Sequence, residues 1–217
     1  MKHIARSILG VSLAVILAGP ALAQGSGGRG GFGGGLGMLL GNASVQKELK
    51  LEASQIEKAK ELTDKIREKM TAAREQLQGA DQEERRTKLM ELNRENNEMV
   101  LKTAGEFLKP EQITRLKQIS LHQRGAMAFE DEEVAKKLAL TDAQKSEIKS
   151  IVDDSRTEMR SIFQDNQDDP EARRKKMTEL RAQTLAKAAA KLNDEQQKTW
   201  KELLGAPFEV KYERPAN

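Results

Sequence analysis

Cysteine is absent from the 217 residues, and with it go disulfides, thiol nucleophiles, Cys-ligated zinc and iron–sulfur clusters. Histidine occurs only at His3 and His122, so neither a histidine-rich metal site nor a Ser-His-Asp triad has much to draw on. Aromatic residues make up 3% of the chain, which removes the stacking platform that single-stranded nucleic acid needs. No apolar run approaches the ~20 residues of a membrane-spanning helix. What is abundant is Ala, Glu, Leu, Lys and Arg, together about half of the sequence, with charged residues at 33%. That is the composition of long helices and coiled coils. The absences point away from an enzyme, a cofactor-binding protein or a nucleic-acid binder.

The N-terminus reads as an address. Lys2 and Arg6 precede an apolar stretch, Ile8–Ala18, which Gly19-Pro20 breaks before the small-residue cleavage site Ala21-Leu22-Ala23. This is the pattern of a secretory signal peptide over residues 1–23. Without Lys2 and Arg6 the formal charge of +3 falls to about +1, so the basic balance carries little weight for a polyanionic partner. Gly25–Gly37 is mostly glycine, and residues 24–42 read as a flexible Gly-rich leader with too little to bury.

The remainder carries an internal repeat. Val45–Leu62 aligns with Val134–Ile151 at an offset of 89 (Val45 to Val134), with identities at Lys47/Lys136, Leu49/Leu138, Leu51/Leu140, Gln55/Gln144 and Lys60/Lys149. Glu83–Leu92 aligns with Glu171–Leu180 at an offset of 88, pairing Arg85-Arg86 with Arg173-Arg174. Leu108–Gln112 matches Leu192–Gln196 at an offset of 84. Ordered matches at near-constant spacing mark a duplication, with one unit at 43–126, the other at 127–208, and a tail at 209–217.

Helix punctuation is legible in both units. Thr141 with Gln144, and Asn193 with Gln196, form capping boxes. Pro110 suits a first helical position, Gly79 ends one helix, and Asp81 and Asp169-Pro170 start others. Leu51 and Leu108 are placed to staple onto Ile56 and Ile113. Ile56, Ala59, Leu62, Ile66, Met70, Ala73 and Leu77 follow steps of three and four, as do Ile148, Ile151, Ser155, Met159 and Ile162. Leu89, Leu92, Asn96 and Met99, with Leu185, Ala188 and Leu192, mark the partner helices. The spacing predicts an all-α fold without sheet: elongated helical hairpins or a bundle, with long helices of about 22–26 residues spanning roughly 35–40 Å. Trp200 and Phe208 read as a plug at one end of the bundle.

Four pentapeptides of the form Leu-x-x-x-Gln begin helices: LEASQ (51–55), LKPEQ (108–112), LTDAQ (140–144) and LNDEQ (192–196). This resembles the Spy/CpxP family of periplasmic proteins, whose signature is LTxxQ at such a helix start. Only Leu140–Gln144, through Thr141, matches it in full; Leu51–Gln55, Leu108–Gln112 and Leu192–Gln196 with Asn193 depart at the second position. The resemblance implies a helical cradle that binds unfolded or misfolded proteins without ATP, or that modulates envelope stress signalling. Family members are homodimers, so four motifs in one chain imply either a pseudo-dimeric monomer or a homodimer. A branch of the family senses metals through histidines and carboxylates, and a chain with His122 alone departs from it.

Candidate working residues follow. Met70, Met90, Met99, Met159 and Met177 offer the soft, adaptable surface that promiscuous binding uses, and equally the filling of an ordinary core. Arg85, Arg86, Arg173 and Arg174 either attract clients or form solvated helix surface. No catalytic residue, metal site or cofactor is expected. The expected partners are non-native proteins or, alternatively, one specific envelope protein that a coiled-coil adaptor would hold, with a metal-responsive sensor third. The expected location is periplasmic or secreted, not membrane-spanning once the signal is cleaved.

Overall fold

The structure, a computed structural model, describes residues 35–212. The signal peptide at 1–23, the leader up to residue 34 and the last five residues of the tail lie outside the described residues. Among the described residues the fold is all-α: α1 (Leu36–Leu40), α2 (Ala43–Glu48), α3 (Ala53–Gln76), α4 (Gln82–Ala104), α5 (Pro110–Arg124), a 3-10 segment (Gly125–Glu130), α6 (Glu132–Lys137), α7 (Asp142–Asp165), α8 (Pro170–Ala189) and α9 (Asp194–Leu204). There is no strand among them.

The repeat is visible element by element. α2 and α3 recur as α6 and α7 with every bound displaced by 89 residues. α4 and α8 form the second arms of two hairpins, and α5 and α9 close the units. Each short helix ends on a left-handed residue, Lys50 (φ 51°) and Ala139 (φ 48°). Behind them, Leu51 N–H reaches back to Gln46 O and Leu140 N–H to Ala135 O, each at 3.0 Å. These are Schellman motifs, in which the following leucine supplies the hydrophobic contact. A side chain in the left-handed region costs on the order of 1–2 kcal/mol, offset here by carbonyls that would otherwise be orphaned.

The caps set the hairpins. Asp81 accepts from the N–H groups of Glu83 and Glu84, and Asp169 from those of Glu171 and Ala172. Pro110 and Pro170 sit at the starts of α5 and α8, where a missing N–H costs nothing. Of the expected stripe on α3, Ala59 and Leu62 are buried and Leu77 closes the tip, but Ile56 is 39% exposed. It therefore does not bury as a staple.

One core gathers Leu36, Leu39, Leu40, Val45, Leu49, Leu62, Val100, Leu116 and Ile119. A second gathers Phe129, Val134, Leu138, Ile148, Val152, Leu192 and Trp200. Helix α5 belongs to both, giving Leu116 and Ile119 to the first and Leu121 to the edge of the second. Trp200 packs on Phe129 with ring centres 4.5 Å apart, inside the second core, whereas Phe208 lies against the first. The two aromatics therefore do not share one plug.

Two boundaries read from the sequence move. Residues 36–40, expected to end a flexible leader, are a helix whose Leu39 and Leu40 are at most 1% exposed. Gly37 lies so close to α3 and α4 that an added Cβ would stand 2.7 Å from the Ile66 side chain. The counterpart of α1 in the second unit is the segment Gly125–Glu130, with Met38/Met127 and Leu40/Phe129 at the same offset of 89. Each unit thus begins with a short apolar segment laid across its hairpin, at about residues 36 and 125 rather than 43 and 127. The tail is irregular over its described residues 209–212, and its Val210 is buried in the first core.

Candidate functional site

Four helices of the two units start with a glutamine at the third helical position, and these amides meet in pairs. In the first unit, Gln55 Oε1 accepts the Glu52 N–H at 2.9 Å and Gln112 Oε1 accepts the Lys109 N–H at 2.8 Å. The two amides then cross: Gln55 Nε2 donates to Gln112 Oε1 at 2.9 Å, and Gln112 Nε2 to Gln55 Oε1 at 3.3 Å. The remaining protons go to backbone carbonyls before the opposite motif, Phe107 O at 2.8 Å and Leu49 O at 3.0 Å. In the second unit Gln144 and Gln196 repeat the arrangement, with cross bonds of 2.7 and 3.0 Å and carbonyl partners Lys191 and Ala139. Each amide uses both donors and both lone pairs, so a polar group largely removed from water is fully satisfied. Thr141 and Asn193 complete two-way capping boxes, while Lys109, which carries no acceptor, leaves only the glutamine half. The pentapeptides thus tie two helix starts together in each unit. Leu108, Leu140 and Leu192 are buried beside the amides and Leu51 is partly so.

The hairpin arms beyond these knots differ between units. In the second, Met159, Ile162 and Leu180 form a small closed cluster with Met127 and Met177 packed on it. Met159, 7% exposed, therefore fills core there. In the first, Met70, Leu89 and Leu92 are only partly buried along α3 and α4, Met90 is 58% exposed, and Ile66 and Met99 pack on the main core. The polar residue within each hairpin shows the same contrast. Thr184 and Ser155 bring their hydroxyls to 2.9 Å, and Thr184 also donates to Leu180 O. At the equivalent places the first unit has Asn96 and Ile66. Asn96 is 4% exposed, and neither its Nδ2 nor its Oδ1 has a hydrogen-bond partner. A buried amide left in that state costs on the order of 1–3 kcal/mol.

The repeated arginines divide by role. Arg85 donates to Ala80 O at 2.9 Å, and Arg173 lies within 3.4–3.5 Å of Asn166 O and Gln167 O, so both cover carbonyls at their hairpin tips. Arg173 also stands 5.5 Å from the ring centre of Phe163, which is 49% exposed beside a shallow hollow walled by Met159, Arg160 and Gln164. Arg86 and Arg174 project from the surface, Arg86 towards Glu83 at 3.9 Å. A contact that long between exposed groups contributes little.

His122 holds the Leu204 carbonyl at 3.1 Å across the α5–α9 junction. Burial lowers its pKa below the usual histidine value; bonds to Leu204 and Ala206 oppose this, and Arg115 adds to it. A neutral ring donating through Nε2 satisfies that carbonyl. At the start of α6 burial works against the Asp131 carboxylate, but Arg124 and the N–H groups of Glu133 and Val134 outweigh it and hold its pKa low. Among the described residues no three His, Cys, Asp or Glu side chains cluster as metal ligands would, and no helix is long and apolar enough to cross a membrane.

The class defined by this geometry is an all-α protein of two duplicated hairpin units, each knotted by a glutamine pair. No protein-family description, characterised protein or solved structure matches the chain. Three features escape sequence reasoning: α1, the docking of the tail, and the pairing of the glutamines. Met38 and Met127 at the repeat offset, with Gly37 aligned to Ala126, were the available signal for the first.

Proposed function

We propose that this is an exported, non-enzymatic binding protein that captures unfolded or misfolded proteins in the cell envelope without ATP. The observation that carries the reading is the distal α3–α4 hairpin. There Met70, Leu89 and Leu92 are only partly buried and Met90 is 58% exposed, on the hairpin that also holds the buried and unpartnered Asn96. Flexible thioether and aliphatic side chains on a partly solvated helix face accept many apolar shapes through weak dispersion contacts. The exposed Arg86 adds attraction for acidic segments. The resemblance of the Leu-x-x-x-Gln motifs to the Spy/CpxP family, and the signal-peptide pattern at residues 1–23, support the same reading. The four motifs themselves serve as scaffold that fixes where the hairpins leave each unit.

The test is light scattering of two unrelated denatured proteins as they aggregate, with the purified protein present at sub-stoichiometric to twofold ratios and no nucleotide. Suppression of both, weakened in a Met70→Ser/Met90→Ser variant of unchanged helicity, is the expected result. Met159 is left intact because it is buried. No effect on either client overturns general capture in favour of an adaptor for one envelope partner.

A further inference from the structure

The chain leaves α9 at Gly205, whose φ of 60° favours glycine and which lies against the end of the Gln118 side chain. From there residues 206–212 run without regular secondary structure across the first unit. Phe208 and Val210 turn inward while Glu209 and Lys211 face solvent, an alternation of period two. Val210 is 7% exposed, in the core cluster that also holds Val45, Leu49, Leu116 and Ile119.

Side chains hold this segment; its backbone makes no backbone–backbone hydrogen bond among the described residues. Arg115 Nη1 donates to Ala206 O at 2.8 Å, Asn42 Nδ2 donates to Lys211 O at 2.9 Å, and Lys211 N–H donates to Ser44 Oγ at 3.0 Å. The Arg115 guanidinium also lies 5.9 Å from the Phe208 ring centre and is anchored by Glu48 at 2.7 Å. Inward residues in apolar sites and a main chain read by fixed side-chain donors and acceptors are how a domain holds a bound extended peptide. The second unit lacks this equipment: at the places of Ser44, Glu48 and Arg115 it has Glu133, Lys137 and Thr199.

We propose that the groove between α2 and α5 is a peptide-binding site, occupied in the resting chain by its own residues 206–212. It takes extended segments with an aromatic residue and, two places on, a branched aliphatic one. The built-in occupant has an effective concentration on the order of mM, so it shuts out weak competitors and yields only to segments of better fit or high local abundance. This deepens the proposed function by naming the kind of client segment engaged, and rests on that reading for what brings such segments to the site.

The test uses a fluorescent synthetic peptide of residues 205–212, GAPFEVKY, and anisotropy. The expected result is no saturable binding to the native protein, and binding at least tenfold tighter to a Phe208→Ala/Val210→Ala variant. That binding should be lost when the peptide's own Phe and Val are alanine, and weakened by Ser44→Ala in the protein. A folded double variant that binds no better than the native protein, or that binds the alanine peptide equally, overturns the proposal. Should the double variant lose its helicity, hydrogen exchange at the Lys211 amide of the native protein decides instead. Millimolar GAPFEVKY accelerates that exchange if the site is exchangeable, and unchanged exchange overturns the idea. Peptide binding without suppression of aggregation sinks the client-capture reading alone; suppression without peptide binding sinks the groove alone.

Discussion

Gln55 and Gln112, 57 residues apart, clasp each other through reciprocal amide hydrogen bonds while each caps its own helix. Neither glutamine can be replaced without orphaning the other. Gln55→Met and Gln112→Met keep the length and remove the donors and acceptors, and each is expected to cost about 1–3 kcal/mol. The double variant should cost less than the sum, with a coupling of about 0.5–3 kcal/mol, since no stranded partner remains. Urea denaturation of the three variants reads this, and strict additivity would contradict the clasp.

Asn96 gives the opposite sign. Its amide is buried and unpartnered, so Asn96→Leu removes a penalty and should stabilise the protein by about 1–3 kcal/mol, seen as a higher urea midpoint. A lower midpoint would mean that the amide finds a partner in solution.

Leu40 tests the ordering of α1. It is 0% exposed and lies in the first core, so Leu40→Ala should cost about 2–5 kcal/mol. A silent substitution would return residues 36–42 to the leader.

His122 sets a pH dependence of definite sign. Burial lowers its folded pKa, so the unfolded chain, with an ordinary value of 6.5, binds the proton first as pH falls. The stability associated with the neutral ring is complete above 6.5 and is lost as pH drops from there through the lowered folded pKa. His122→Gln can still donate to Leu204 O and does not titrate. Its urea midpoint should therefore change less than the native protein's between about pH 7.5 and 5.5. An identical slope in both would refute the assignment.

The parts legible in the sequence are those governed by local period and capping chemistry. The hairpin arms, the Asp81, Thr141 and Asn193 caps and the 89-residue offset all follow from neighbours within a turn or two. What escaped depends on distant partners. Leu36–Leu40 sits among glycines and is helical because α3 and α4 lie beneath it, which no window of composition reveals. Residues 206–212 carry no helical period because they are bound as an extended strip. Met70 and Met159 hold equivalent places yet differ in burial: Met159 packs with Ile162 and Leu180, whereas the first unit has the smaller Ala73 at the place of Ile162. The glutamines were readable as caps; their mutual clasp needed the second helix start, more than fifty residues away.

The most direct test of the account is site-specific photo-crosslinking on the distal α3–α4 face. A photoreactive side chain at Met90 or Met70 is presented with a purified denatured client, and the same group at the exposed Lys198 of α9 serves as reference. Strong client adducts are expected from positions 90 and 70, weak ones from 198, and loss of all three when the client is folded. Equal labelling from every position, or none from 90 and 70 under conditions where aggregation is suppressed, would contradict the assignment of that face as the binding surface.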